Sequence, residues 1–159
     1  MSTRLAGPHD DEFLFELYCA VRAPEFALLA LSEEEKQYLL RQQSKWQTAA
    51  YCAAYPDSGY RIVLLDEKPV GRVWIAQTSS GFELVDIAIH PEAQRRGIAK
   101  QLLEDLQRQA RACDAPIRSS VFRFNEASIR LHEKLGFRVM AADEMQLEFR
   151  WDPAELIDL

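Results

Sequence analysis

Three short apolar segments joined by tight polar turns occupy the middle of the sequence. Tyr60 to Leu65, Val70 to Gln77 and Phe82 to His90 are rich in β-branched and aliphatic residues, and polar turn residues separate them. A parallel crossover needs about a dozen connecting residues, which these turns do not provide. The three segments are therefore predicted to form an antiparallel meander.

Helical periodicity surrounds this meander. Apolar residues recur at helical spacing from Asp10 to Val21, and Pro24 is expected to end that helix. Ser32 followed by three glutamates is typical of an N-cap, and the second helix is predicted to run to about Ala54. Beyond the meander, the pattern predicts a helix from Arg96 to Ala112, a strand from Pro116 to Phe124, a helix from Asn125 to Leu135, and strands from Phe137 to Ala141 and from Met145 to Trp151.

These elements, with a short first strand from Thr3 to Ala6, follow the order β-α-α-β-β-β-α-β-α-β-β. The predicted fold is an α/β fold with a mixed, mostly antiparallel central sheet flanked by helices. The sequence contains no internal repeat and no linker rich in Pro, Gly or Ser. Residues 1–159 are therefore expected to form a single domain.

Charge and hydropathy exclude several classes of protein. The net charge of −6 argues against a general nucleic-acid-binding protein, which normally presents a basic face. No apolar run approaches the roughly 18 residues of a membrane span, and the N-terminal segment lacks an apolar signal core. We therefore expect a cytoplasmic protein with neither nucleic acid nor membrane as a partner.

Cysteine and histidine are too sparse to indicate a disulfide framework or a structural metal site. The chain has 3 cysteines and 3 histidines, all widely spaced, with no Cys-x-x-Cys pair. Neither a disulfide framework nor a zinc site is predicted, and no metal cofactor is expected.

The segment from Gln94 to Ala99 joins the third strand of the meander to the following helix. Gly97 has no side chain, so a ligand can approach the backbone closely. The first turn of a helix leaves backbone N–H groups unpaired, and these groups together with the helix dipole favour a phosphate. Arg95 and Arg96 add positive charge. One interpretation is a diphosphate site; the other is an ordinary strand-to-helix turn with two solvated arginines.

Two motifs in this half of the chain resemble a known family. The sequence QRRGIA at residues 94–99 matches the Q/R-x-x-G-x-G/A motif of the GNAT N-acetyltransferase superfamily. The sequence NEASIRLHEKLGF at residues 125–137 resembles that family's second signature, an asparagine, a helix and a Y-E-K-L-G-F ending. The motifs are joined by the helix and strand that the family has between them, and the resemblance extends over about residues 60 to 151.

The resemblance implies an acyltransferase that uses acetyl-CoA as co-substrate. The backbone of residues 94–99 would hold the pyrophosphate, and the backbone of residues 87–89 would pair with the pantetheine arm. That pairing requires the strands from Phe82 and from Pro116 to separate at one end. Asn125 and Ser128 would contact the same arm. The implied coenzyme-binding residues are Ile87, Ala88, Ile89, Gln94, Arg95, Arg96, Gly97, Ile98, Ala99, Asn125 and Ser128.

The chain departs from the family pattern at two positions. Ala99 stands where a second glycine is more frequent, which the motif tolerates. His132 stands where many members have a tyrosine that protonates the leaving thiolate. A histidine ordinarily titrates near pH 6.5, so a fraction of the rings can donate a proton at neutral pH. His132 is therefore a candidate general acid, and the alternative is a packing residue with solvent as the proton source.

The reaction also requires a base, because a primary amine is mostly protonated at neutral pH. The third strand offers Glu83 and Asp86, which strand alternation directs to opposite faces. Glu83 matches the position of the base in some family members, whereas Asp86 lies closer to the expected thioester. A salt bridge involving Asp86 and a base acting through a water chain are the alternatives. A backbone N–H near Ala88 or Ile89 is the expected oxyanion donor.

The leading hypothesis is direct transfer of an acetyl group from acetyl-CoA to a primary amine in a ternary complex. The alternatives are a noncatalytic acyl-CoA-binding or sensor domain and a structural or partner-binding α/β domain that has no ligand. The acceptor is a small-molecule or peptide amine of open identity, and an exposed final strand could pair in a homodimer. Aromatic residues that could line the acceptor pocket are Tyr18, Phe26, Tyr38, Trp46 and Tyr51.

Overall fold

The computed structural model describes residues 1–153 and contains seven strands and four α-helices in that range. The strands are β1 (Ser2–Leu5), β2 (Tyr60–Leu65), β3 (Lys68–Thr78), β4 (Gly81–Ile89), β5 (Ile117–Phe122), β6 (Arg138–Ala142) and β7 (Gln146–Trp151). The helices are α1 (Asp11–Phe26), α2 (Glu33–Ala54), α3 (Ile98–Ala112) and α4 (Glu126–Lys134). Short 3-10 turns at Pro8–Asp10 and Pro91–Ala93 were not predicted from the sequence.

The strands form one mixed sheet in the order β1-β2-β3-β4-β5-β7-β6. The pairs β1–β2, β2–β3, β5–β7 and β6–β7 are antiparallel, whereas β4–β5 is parallel. The predicted α/β class with a mostly antiparallel sheet is therefore confirmed. The β4–β5 ladder joins Phe82–Leu84 to Ile117–Ser119 and ends at Leu84, which is where the predicted separation of the two strands has to begin.

The described residues fall into two compact units. The first unit contains residues 1–74 and 86–98, and the second contains residues 75–85 with the described part of 99–159. The single-domain expectation stays a prediction. The fully buried side chains of the first unit include Leu17, Ile62, Val63, Val73 and Trp74, and those of the second include Leu103, Leu106, Ile117, His132 and Phe149.

Helix α1 continues past Pro24, so the prediction that this proline ends the helix is wrong. Proline removes its own N–H donor and crowds the carbonyl group four residues earlier, and here both effects fall close to the end of the helix. Phe26, the last residue of the helix, is buried with Tyr18 and Leu40 in a shared apolar cluster. Burial of this ring stabilises the extra turn more than the missing hydrogen bond destabilises it.

Capping residues set the beginnings of α2 and α4 as expected. The Ser32 hydroxyl accepts a hydrogen bond from the Glu35 amide at 3.1 Å, and the Asn125 side chain accepts one from the Ser128 amide at 3.1 Å. Helix α3 begins at Ile98 rather than at the predicted Arg96, because Gly97 has a left-handed φ of +75° that a helix does not allow. Residues 95–97 consequently lie outside the helix.

The part of the chain that the structure describes contains neither a helix suited to span a membrane nor a cluster of metal ligands. None of its helices combines the length and the apolar character that a membrane span requires. Within the same residues, no three side chains of His, Cys, Asp or Glu come together as a metal site.

Candidate active site

The loop after β4 is tied to the end of that strand by side-chain hydrogen bonds. The Gln94 side-chain amide donates to the Ile89 carbonyl oxygen at 3.0 Å. The His90 ring accepts a hydrogen bond from the Glu92 amide at 3.2 Å. These bonds hold the chain in position as it turns from β4 toward α3, so the predicted phosphate segment has a defined conformation.

Backbone N–H groups of this loop are left without internal acceptors. Arg95 and Gly97 have left-handed φ angles of +65° and +75°. Within residues 1–153, no acceptor is found for the backbone N–H of Arg95, Arg96 or Gly97. Turns with alternating backbone conformations of this kind form concave groups of N–H donors that bind anions. The segment also leads directly into the first turn of α3, where the helix dipole adds to the positive potential.

Two positions near this loop are occupied by glycine for different structural reasons. A Cβ at Gly97 would meet no atom within 4 Å, so the space beside its backbone is open. A Cβ at Gly71 would lie 2.6 Å from the Ala88 carbonyl oxygen, closer than such contacts allow. Gly71 therefore permits β3 to approach the part of β4 formed by Ile87, Ala88 and Ile89, where Ala88 and Ile89 are buried.

Asp86, one of the two candidate bases, forms an ion pair with Arg72 on β3. Nε of Arg72 donates to Oδ2 of Asp86 at 2.7 Å, and the two side chains are 6% and 15% exposed. The salt-bridge alternative for Asp86 is therefore the arrangement that the structure shows. One oxygen of this carboxylate is therefore already engaged with a guanidinium group.

Glu83, the other candidate base, lies in a different electrostatic environment. It is half-buried on β4, opposite Arg118 of β5 in the parallel ladder. Burial raises the pKa of its carboxyl group, Arg118 opposes that shift, and Glu148 adds to it. A raised pKa brings a carboxylate closer to the range in which it removes a proton from an ammonium group.

His132 on α4 is enclosed rather than presented to a ligand. Its side chain is 1% exposed and lies against the rings of Phe137 and Phe149, with centroid distances of 4.9 and 5.0 Å. Its Nδ1 is 2.8 Å from the Ser128 carbonyl oxygen, and its Nε2 is 3.0 Å from the Ser119 hydroxyl. A carbonyl oxygen only accepts, so Nδ1 carries the proton and Nε2 accepts from Ser119 in the neutral ring.

Burial lowers the pKa of His132, partly opposed by its hydrogen bond to the Ser128 backbone. The unfolded chain binds a proton here from about pH 6.5 downward, whereas the folded chain does so only at lower pH. The contribution of this residue to stability is therefore present above the unfolded pKa and is lost as pH falls toward the folded pKa. We expect the free energy of unfolding, measured by urea titration between pH 7 and pH 5, to fall less steeply in His132→Phe than in the unmodified protein.

The same variant tests the general-acid role. A role in proton donation requires the charged ring, which burial disfavours. If His132→Phe keeps both kcat and its pH profile, His132 does not take part in the mechanism; loss of the alkaline limb alone would support donation.

The two residues expected along the pantetheine arm lie at the start of α4. Asn125 is exposed and uses its side-chain oxygen to cap the helix, which leaves its amide group available. The Ser128 hydroxyl lies 3.4 Å from Nδ1 of His132. The second motif therefore places the polar groups of Asn125 and Ser128 at the beginning of α4, the helix that also carries the buried His132.

The five aromatic residues suggested for the acceptor pocket have different surroundings. Tyr18 and Phe26 are buried in the cluster under α1 and α2. Tyr51 is half-buried, and its ring meets the edge of Trp74 at 5.5 Å. Tyr38 and Trp46 are 66% and 69% exposed.

Sequence reasoning missed two polar residues that contact the candidates. These are Arg72, the partner of Asp86, and Ser119, the partner of His132. Arg72 carried a signal, since a charged residue within the apolar run of β3 needs a partner. Ser119 carried none, because its place beside His132 depends on tertiary structure.

The fold is an α/β fold in which the loop after β4 leaves three neighbouring backbone N–H groups, those of residues 95–97, without acceptors in the described part of the chain. The profile of the acetyltransferase (GNAT) family matches residues 17–137, which is most of the chain. The chain therefore belongs to the GNAT acetyltransferase family, as its two motifs predicted.

Solved structures have the same fold. The PaiA N-acetyltransferase from Thermoplasma acidophilum, in complex with coenzyme A, is 19% identical, with 95% of this chain and 98% of that chain covered and a TM-score of 0.71. An acetyltransferase from Thermus thermophilus is 19% identical, with 96% and 97% covered and a TM-score of 0.64. The ribosomal-protein-S18-alanine N-acetyltransferase from Escherichia coli is 16% identical, with 95% and 92% covered and a TM-score of 0.64. Among curated protein sequences, no relative matches the chain.

Proposed function

We propose that this protein transfers an acetyl group from acetyl-CoA directly to a primary amine within a ternary complex. The observation that carries the proposal is the loop after β4, where the N–H groups of Arg95, Arg96 and Gly97 find no acceptor within residues 1–153. Three neighbouring unpaired donors at a helix start suit the pyrophosphate of a coenzyme. Family membership and the coenzyme A bound to the PaiA structure support the same ligand.

The coenzyme is proposed to contact residues from both motifs. The N–H groups of residues 95–97 and the first turn of α3 bind the pyrophosphate, and the exposed side chains of Arg95 and Arg96 add charge. The backbone of Ile87–Ile89 pairs with the pantetheine arm, which Asn125 and Ser128 also contact. Gln94 acts indirectly, since its bond to the Ile89 carbonyl oxygen braces the loop.

Glu83 is proposed as the base that takes a proton from the acceptor ammonium group, directly or through water. The free amine then attacks the thioester carbonyl carbon and a C–N bond forms. The C–S bond breaks, coenzyme A leaves as a thiolate, and the second proton that the nitrogen loses is taken up by that thiolate, directly or through water. A backbone N–H near Ala88 or Ile89 stabilises the negative charge that develops on the carbonyl oxygen. No cysteine lies in either motif, which favours direct transfer over an acetyl-cysteine route.

Coenzyme A release measured with acetyl-CoA and a panel of amines tests this proposal. Amine-dependent release above the rate of hydrolysis, with intersecting double-reciprocal lines for the two substrates, is the expected result. Parallel lines would contradict direct transfer, and the absence of acetyl-CoA binding in calorimetry would overturn the proposal.

The alternative is a sensor domain that binds acyl-CoA without turnover. It is favoured by the neutral, enclosed His132 at the position where family members have a proton-donating tyrosine. Tight acetyl-CoA binding with no release on any amine is the result that this alternative predicts.

A further inference from the structure

Five polar and aromatic residues of the first unit form what we call the Arg72 cluster: Tyr18, Tyr51, Tyr60, Arg72 and Asp86. They come from five elements of that unit, α1, α2, β2, β3 and β4. The Arg72 guanidinium carbon is 5.1 Å from the centre of the Tyr60 ring and 5.6 Å from that of Tyr18. Arg72 and Asp86 are thus a charged pair in aromatic surroundings.

The Arg72 guanidinium group is buried yet incompletely bonded. Its Nε donates to Asp86, but within residues 1–153 neither Nη1 nor Nη2 has an acceptor. Every fully buried side-chain nitrogen or oxygen in that range has a partner. The two terminal nitrogens therefore retain contact with solvent, although the side chain as a whole is only 6% exposed. Two donors of a buried charged group therefore remain available to bind a ligand.

Among the described residues, Asp86 likewise has one carboxylate oxygen without a hydrogen-bond partner. Oδ2 is bound to Arg72, whereas Oδ1 accepts no hydrogen bond from the described residues. Asp86 also directly precedes Ile87–Ile89, the strand segment proposed to lie along the pantetheine arm. A molecule held by Asp86 and Arg72 is thereby held beside the residues that would face the thioester.

The tyrosines in the cluster contribute no charge at neutral pH. Burial raises the pKa of Tyr51 to about 12 and also raises that of Tyr60. Burial also raises the pKa of Tyr18. The cluster therefore presents one positive and one negative group, joined as an ion pair and surrounded by neutral rings.

We infer that the Arg72 cluster binds the acceptor of the proposed transfer, and that the acceptor is an amino acid whose carboxylate lies on Nη1 and Nη2 of Arg72 and whose amino group lies at Oδ1 of Asp86. The inference rests on the proposed function. Because strand alternation directs Glu83 and Asp86 to opposite faces of β4, the proton of an amino group held at Asp86 reaches Glu83 through water rather than directly. The two terminal guanidinium nitrogens form a fork that matches a carboxylate. A zwitterion carries opposite charges close together, as the Arg72–Asp86 pair requires. A polyamine or an aminoglycoside would instead bring positive charge against Arg72.

The first experiment compares matched acceptors that differ only at the carboxylate. Initial rates with acetyl-CoA are measured for phenylalanine, leucine and methionine and for the amide of each. We expect kcat/KM to be at least 10-fold higher for each acid than for its amide, mainly through KM, which corresponds to about 1.4 kcal/mol. The amine of an amide loses its proton more readily, so intrinsic reactivity favours the amide, and a preference for the acid has to come from binding. Equal rates, or faster acetylation of the amides, would overturn the inference while leaving the proposed function in place.

Variants of Arg72 show whether this side chain causes the preference. Arg72→Lys keeps the charge but loses the fork, and Arg72→Gln loses both, so the acid-to-amide ratio should fall in the first and approach one in the second. Arg4→Gln is the matched control, because Arg4 forms a two-bond ion pair with Asp10 at 2.8 Å elsewhere in the first unit. It should retain the ratio of the unmodified protein. Thermal unfolding and acetyl-CoA binding are measured for each variant, and if Arg72→Gln does not fold, Arg72→Lys and the unmodified protein still decide the outcome.

A binding experiment separates failure of this inference from failure of the proposed function. Calorimetry in the presence of coenzyme A compares N-acetyl-phenylalanine with its amide, using the unmodified protein and Arg72→Lys. If no amine is acetylated, the proposed transfer is wrong, yet binding of the acid alone that weakens in Arg72→Lys still supports a carboxylate site. Equal binding of acid and amide overturns the site whatever the activity.

Discussion

Replacing Gly97 by alanine is expected to raise the dissociation constant for coenzyme A by about 10-fold or more, which corresponds to about 1.4 kcal/mol. Gly97 has a φ of +75°, and a Cβ there would project into open space rather than against protein atoms. In the proposed complex that space belongs to the pyrophosphate. An added methyl group would both strain the loop and hold the ligand away from the N–H groups of residues 95–97. The change is measured by calorimetry with coenzyme A.

Gly136→Ala separates backbone strain from loss of the ligand site. Gly136 ends α4 with a φ of +88°, and a Cβ there would have only ordinary contacts, at 3.7 Å from Trp151. Both variants should lose about 1 kcal/mol of stability from the left-handed conformation, but only Gly97→Ala should lose affinity for the coenzyme. Unchanged affinity in Gly97→Ala would mean that the loop after β4 does not bind the pyrophosphate.

Replacing Glu83 by glutamine is expected to lower kcat by about 100-fold or more while affinity for acetyl-CoA stays the same. Glutamine keeps the size and hydrogen-bonding capacity of the side chain but cannot take a proton. Because burial raises the pKa of Glu83, the rate of the unmodified protein should fall as pH drops through that raised value, and the variant should lack this acid limb. Stability at neutral pH should not decrease, since the change removes a charge from a half-buried position.

Substitutions of two residues near Glu83 test whether the pKa of Glu83 sets the acid limb of the rate profile. Glu148 raises the pKa of Glu83 and Arg118 lowers it. Glu148→Gln should therefore move the acid limb of the rate profile to lower pH, and Arg118→Gln should move it to higher pH. An acid limb that stays in place in both variants, or full kcat in Glu83→Gln, would exclude Glu83 as the base and leave a water chain or Asp86.

Local signals in the sequence were sufficient for most of the elements. The short turns between the segments from Tyr60 to His90 predicted a meander, and Ser32 and Asn125 marked the helices that they cap. These features depend on residues within a few positions of one another, so sequence order alone reveals them. The continuation of α1 past Pro24 is not predictable from local signals, because the burial of Phe26, which depends on contacts with α2, stabilises the last turn of the helix.

The candidate site residues also divide into those that local sequence reveals and those whose role depends on tertiary contacts. The loop at 94–99 was recognisable because a glycine, a strand end and a helix start are adjacent in sequence. The partner of Asp86 was not, since Arg72 lies on the preceding strand and is brought beside Asp86 by tertiary structure. The sequence likewise offered Glu83 and Asp86 as nearly equal bases, and only their surroundings distinguish a half-buried carboxyl with a raised pKa from one engaged in an ion pair.

Sequence by itself determined the α/β class, the family and the position of the loop that we propose to bind the pyrophosphate, because periodicity, capping and turn conformation are encoded within short stretches of chain. Only the tertiary structure decided that the His132 ring is buried beside the Ser119 hydroxyl and that Arg72 has two donors without a partner in the described residues beside Asp86. Burial and hydrogen bonding to residues distant in sequence set the charge of each side chain, and those neighbours exist only once the chain has folded.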